Sequence, residues 1–194
     1  MEQRIAKVHR KTNETEIEME LNLDGDGRYE IDTGLGFLDH MLTHLSKHSK
    51  IDIILKAKGD LEVDAHHTVE DIGICLGECL LKALGDKKGI ARYGYSSLPM
   101  EDALANVSID LSGRAACVYN ATYRTDKIGD FDAECVEEMI RSFTNNGRLN
   151  LHVNVPYGTN SHHIAEAIFK GMGQALGQAV RIVGEDIPST KGTL

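Results

Sequence analysis

One motif, met twice, constrains this chain more than any other feature. HHTVEDIGICLGECLLKAL runs from His66 to Leu84, and HHIAEAIFKGMGQALGQAV runs from His162 to Val180. An offset of 96 joins His66 to His162, His67 to His163 and Glu70 to Glu166, and continues through Ile72–Ile168, Gly77–Gly173, Leu80–Leu176 and Ala83–Ala179. Upstream the offset becomes 98, pairing Met41 with Met139, Leu45 with Phe143, Ile53 with Leu151 and Leu55 with Val153. The period is too long, and repeated too few times, for a solenoid; the chain reads as two copies of one supersecondary unit.

Periodicity outlines each copy. In the first, Glu16–Leu23 alternates as a strand, the DGDG of Asp24–Gly27 is turn chemistry, and Arg28–Asp32 is expected to return as the partner strand. Phe37–His48 has helical spacing, Ile51–Ala57 is a third strand, and Ala65–Leu84 a second helix ending near Gly85. The second copy offers strands over Leu104–Leu111 and Ala115–Tyr123 around the Ser112–Arg114 turn. A helix over Asp132–Asn145, a strand over Leu149–Val155 and a helix over Ser161–Val183 follow. The order β-β-α-β-α, twice, predicts an α+β fold: two mostly antiparallel sheets with helices packed between them, related by a pseudo-twofold axis. The halves, approximately 1–95 and 96–194, are expected to form a single catalytic domain around one core.

Composition removes several roles. With 21 Lys+Arg against 30 Asp+Glu the net charge is −9, which argues against a nucleic-acid partner, since that needs a broad positive face. No stretch approaches the roughly 18–20 apolar residues of a membrane span, and MEQRIAKVHR has no apolar secretory segment. Four cysteines are too sparse for a disulfide framework and suit reduced thiols in a cytoplasmic protein.

The doubled motif carries the chemistry. On a helix Glu70 lies i+4 from His66 and i+3 from His67, so its carboxylate can share a face with either imidazole. Adjacent histidines point about 100° apart and serve two ions better than one. A lone His–Glu pair is usually a surface ion pair, but HHxxE kept twice at a fixed offset implies a ligand that repays two such polar clusters. The 98 offset adds His40, in FLDHML, and Glu138, in CVEEMI, on the first helix of each copy. The eight candidates His40, His66, His67, Glu70, Glu138, His162, His163 and Glu166 then divide into two sets of four. Such N/O sets favour Mn, Zn or Fe(II) over Mg or a soft metal. His152, on LNLHVNV, competes with Glu138 for the eighth place. A second group suits an anion: Arg92 in GIARYG, Arg114 in LSGR, and Ser189, Thr190 and Lys191 in PSTKG. With no helix after STKG, a Walker-type phosphate loop is excluded.

GLGFLDHML, DAHHTVEDIGI, SIDLSGR, TNSHHIAEAIFK and PSTKGTL, in this order, resemble the imidazoleglycerol-phosphate dehydratase family over nearly the whole chain, and RKTNETEI resembles its opening motif. The resemblance implies two Mn2+ per active site, a fold like the second domain of ribosomal protein S5, a small phosphate substrate and self-association into a 24-mer built from trimers. It implies Glu14 as the acid/base group, the eight residues above as metal ligands, and Arg92, Arg114, Ser189 and Lys191 as phosphate-binding positions. The reaction it implies is dehydration of D-erythro-imidazoleglycerol phosphate to imidazole acetol phosphate in histidine biosynthesis. No carbonyl acidifies the C2–H, so a metal-stabilised imidazolate, expelling the C3 hydroxyl through a diazafulvene-like intermediate, is the expected route. Three departures from the family pattern are Glu101-Asp102 in inverted order, His44 where many members have Gln, and Gln174 and Gln178 where arginines are common. The competing readings are a dinuclear metal phosphatase and an assembly module in which ions only join subunits.

Overall fold

Alternating apolar residues build the sheets, but the sheets begin one strand earlier than periodicity predicts. The computed structural model describes residues 3–194. Its first unit contains β1 (Ile5–Lys11), β2 (Thr15–Asn22), β3 (Tyr29–Asp32), α1 (Gly36–Ser49), β4 (Asp52–Gly59) and α2 (His66–Leu84). Its second contains β5 (Tyr93–Met100), β6 (Ala103–Asp110), β7 (Ala116–Asn120), the short ribbon β8 (Lys127–Ile128) and β9 (Phe131–Asp132), then α3 (Glu134–Gly147), β10 (Asn150–Tyr157) and α4 (Ser161–Ala179). The repeated order is therefore β-β-β-α-β-α, with a ribbon inserted in the second copy.

The sheets run β1-β2-β4-β3 and β5-β6-β10-β7. In each, two pairings are antiparallel, and the last, β3 on β4 or β7 on β10, is parallel. The expected β2–β3 hairpin is thus corrected: β4 lies between them. Asp52, at the start of β4, accepts the backbone N–H of Asp26 (2.9 Å) and of Arg28 (2.8 Å), which carries the DGDG loop across that strand. Likewise β10 separates β6 from β7.

Ile17, Met19, Leu21, Ile53 and Leu55 fill the inner face of the first sheet; Ala105, Val107, Ile109, Leu151 and Val153 fill that of the second. Between the sheets α1 packs on α4 and α2 on α3, so each helix pair joins one helix from either copy. Both pairs run parallel, and two glycines related by the 96 offset let them touch. A Cβ on Gly77 would stand 2.5 Å from the Gly147 nitrogen, and one on Gly173 would stand 2.9 Å from the Leu45 carbonyl oxygen. Phe37, on the first turn of α1, packs at 5.3 Å against Phe131, just before α3, so the N-terminal ends of the two pairs share one edge of the helical layer. Among the described residues no helix is long and apolar enough to cross a membrane.

Candidate metal centre

Side-chain oxygens meet the first backbone N–H groups of both long helices at the HH pairs, as an N-cap in α4 and from the residue before the N-cap in α2. The Asn160 side chain accepts the backbone N–H groups of His162 (2.9 Å) and His163 (3.4 Å), and Asp64 accepts that of His66 (2.8 Å). The rings of each pair then diverge: His66 and His67 are inclined at 89°, and His162 and His163 at 85°.

One cluster gathers around Glu166, a carboxylate whose side chain is only 8% exposed. Its Oε2 lies 3.1 Å from His162 Nε2 and 3.7 Å from His40 Nε2. Its Oε1 accepts from Lys170 Nζ and lies 3.2 Å from His44 Nε2. Among the described residues, His40, His162 and Glu166 form the group whose ligand atoms all lie within 4.8 Å of one another. Two atoms bound at right angles to one ion, each about 2.1 Å away, stand about 3 Å apart, so this spacing fits a divalent cation. Burial pushes the Glu166 carboxyl upward, but the hydrogen bond and charge of Lys170, aided by His44 and His162, prevail and hold it below its ordinary value. Burial pushes His44 down to about 4 against the pull of Glu166, leaving a neutral imidazole near pH 7.

The pseudo-twofold counterpart of this triad is Glu138, His66 and Glu70. These are not among the gathered groups. Glu138 Oε1 instead accepts from Ser142 Oγ on its own helix (3.2 Å). His152 stands exposed on the outer face of β10, whereas Leu151 and Val153 point into the core beside the helices. It is remote from the helix-borne ligands. His67 meets Asp60 through Nδ1 (3.0 Å), a bond that raises its pKa against burial, and Glu14 lies 4.0 Å from the same nitrogen. The turn carrying Glu14 is anchored from beneath by buried Asp71, which accepts from Arg10 Nε (2.8 Å) and Thr15 Oγ1 (2.5 Å).

The anion group lies elsewhere in the chain. Arg92, just before β5, lies beside the C-terminal end of α4, its backbone N–H donating to the Ala179 carbonyl (2.9 Å). Its guanidinium donates to both Asp110 oxygens (2.7 and 3.2 Å) and to the Pro188 carbonyl (2.9 Å). It thereby binds the C-terminal segment, in which Ser189 Oγ accepts the Lys191 backbone N–H (3.2 Å). Arg114 is exposed beyond Gly113, whose missing Cβ would lie 3.0 Å from the Leu194 carboxyl carbon. Arg92, Arg114, Ser189 and Lys191 thus gather at the C-terminal end of α4. Glu166 is near its other end, roughly 20 Å away at 1.5 Å per helical residue.

Lys170 escaped the sequence reading, although its i+4 spacing from Glu166 was the available signal. Asp60 and Asp102 reach histidines across loops and have no such periodic signal. A recess of about 490 Å³, lined by Phe37, His40, Phe131 and His162 among others, adjoins the cluster. The larger cavity, about 800 Å³, lies at the other end of α1 and α4, where His48, Gln174 and Gln178 line it.

The family model described as imidazoleglycerol-phosphate dehydratase matches residues 33–176. A Clostridium botulinum (strain Langeland) protein of that name is 56% identical over 198 residues, covering 100% of both chains. The crystal structure of the Staphylococcus aureus imidazoleglycerol-phosphate dehydratase superposes with a TM-score of 0.84 at 40% identity, covering 92% of this chain and 99% of that one. That of the Pyrococcus furiosus protein, in complex with (S)-C348, gives 0.83 at 36% identity, covering 96% and 100%.

Proposed function

This chain belongs to the imidazoleglycerol-phosphate dehydratase family, and from that membership we propose that it dehydrates D-erythro-imidazoleglycerol phosphate to imidazole acetol phosphate in histidine biosynthesis. The observation that carries the reading is the convergence of His40, His162 and Glu166, drawn from both copies of the repeat, at the spacing of ligands to one ion. The family is metal-dependent, and the N/O donor set suits a divalent cation; we assign Mn2+, two per active site. Our ligand set is His40, His66, His67, Glu70, Glu138, His162, His163 and Glu166. When bound, the cations supply Lewis acidity that favours the imidazolate form of the substrate ring.

The chain's own groups do the remaining work. Glu14, more than half exposed on its turn, moves the proton at C2, and the Asp71 network holds that turn in place. Arg92, Arg114, Ser189 and Lys191 take the phosphate, and Arg92 also holds the C-terminal segment that carries the last two. Since this group and the Glu166 cluster lie at opposite ends of α4, one chain's phosphate group serves another chain's metal ligands. That geometry supports a site shared between subunits, as a 24-mer built from trimers would provide. Both copies act as one catalytic domain, in the cytoplasm, where the four free cysteines stay reduced.

The test is a dehydration assay on protein stripped with chelator and reloaded with Mn2+. Loss of imidazole acetol phosphate formation on stripping and its return on reloading are expected, with no inorganic phosphate released. Phosphate release from the same substrate would instead favour a dinuclear phosphatase.

A further inference from the structure

The two HH pairs are completed from different loops. In the second copy, Asp102 in the β5–β6 turn places Oδ1 2.6 Å from His163 Nδ1. Its Oδ2 accepts the Thr159 hydroxyl and the backbone N–H groups of Thr159 (2.6 Å) and Asn160 (3.0 Å). In the first copy, Asp60 after β4 places Oδ2 3.0 Å from His67 Nδ1.

The repeat does not relate these two aspartates. Ile5 pairs with Asn22 as Tyr93 pairs with Asp110, so β1–β2 and β5–β6 correspond at an offset of 88, and Asp102 corresponds to Glu14. A register shift between Asn154 and Tyr157 adds one residue to β10, so Gly59 corresponds to Gly158, and Asp60 to Thr159, which has no carboxylate. One task is therefore met twice by unrelated positions, which points to a requirement of the histidine rather than an inheritance of the fold.

We propose that Asp60 and Asp102 are positioning residues: each accepts the Nδ1 hydrogen of the second histidine of its pair, fixing the ring and leaving the Nε2 lone pair of His67 and His163 for a divalent cation. A carboxylate on the far nitrogen sets the tautomer and raises the basicity of the ligating one. With Asp60 holding His67, Glu14 has no such duty, and its carboxylate stays free beside the site. The inference rests on the reading of these histidines as metal ligands.

The test uses the full-length protein, stripped of metal and titrated with Mn2+ by electron paramagnetic resonance of the free ion, as wild type and as Asp60→Asn and Asp102→Asn. Wild type is expected to fill its sites. Each variant is expected to bind at one of them about 10- to 100-fold more weakly, while its stripped form melts within about 2 °C of wild type. Asp102→Glu should restore the affinity. Unchanged affinity in both variants overturns the proposal. So does a lowered melting point with unchanged affinity, because the aspartates would then only tie loops. A wild-type protein that takes up no Mn2+ removes the ligand reading itself, and the positioning role with it.

Discussion

At the scale of single residues, the chemistry depends on which carboxylates are held and which are left free. Asp71 is held: buried, it joins Arg10 on β1 to Thr15 beside the Glu14 turn. Asp71→Ala removes two charge-assisted bonds and is expected to cost about 2–3 kcal/mol in urea unfolding, with kcat falling because Glu14 loses its footing. Glu14→Gln should behave differently, keeping stability and Mn2+ content while turnover collapses; full activity in that variant would remove Glu14 from the reaction. Burial raises the Cys75 and Cys79 thiols to about 12 and Cys135 to about 11. These three lie above pH 8 by at least about three units, so almost no thiolate forms. They should react with a thiol reagent at pH 8 only after denaturation, and prompt labelling of more than Cys117 in the native protein would contradict this. At this scale the ligand types were legible because the repeat printed them twice. Their partners were not, because Asp60 to His67 and Asp102 to His163 are contacts across loops whose course no periodicity reports.

At the scale of elements, the helices were legible almost to their ends and the sheets only in part. A buried stripe such as Leu38, Met41, Leu42 and Leu45 announces α1. The first strand of each sheet hides for the opposite reason: β5 turns Gly94, Ser96 and Leu98 inward, and β1 only Ala6 and Val8, so neither shows an apolar alternation. Gly94 is inward because a Cβ there would stand 1.8 Å from the Ala175 carbonyl oxygen on α4, a helix too close for any side chain. The glycines at the helix crossings invite a matched pair of measurements. Alanine favours a helix over glycine by about 1 kcal/mol. At Gly77 and Gly173, however, it would press on the backbone of the neighbouring helix. Both Gly77→Ala and Gly173→Ala are therefore expected to destabilise the fold by about 1–3 kcal/mol. Gly173→Ala should also weaken Mn2+ binding at the Glu166 cluster, since it moves α1, which carries His40, away from α4. Mn2+ affinity unchanged from wild type in Gly173→Ala would separate the cluster from that helix contact.

At the scale of the whole molecule, the separation along α4 decides how many chains an active site needs. Glu166 and Arg92 are held at opposite ends of one rigid helix, roughly 20 Å apart, too far for a small phosphate ester to touch both. A site uniting metal ligands with a phosphate group must then borrow one of them from a neighbouring subunit, and ligands that point two ways can also tie the neighbours together. Stripping the metal is accordingly expected to shrink the particle, as measured by light scattering, and reloading should restore its size. Complementation gives a sharper measurement. Glu166→Gln chains lack a metal ligand and Arg114→Ala chains lack a phosphate cation, so each alone should be nearly inactive. Unfolded together, mixed in equal amounts and refolded, they would form sites at random, and about a quarter of those sites would draw both intact groups from different chains. Recovery of about a quarter of wild-type activity is the expected outcome. If each site were built from a single chain, mixing would restore nothing, because every chain in the mixture carries one lesion.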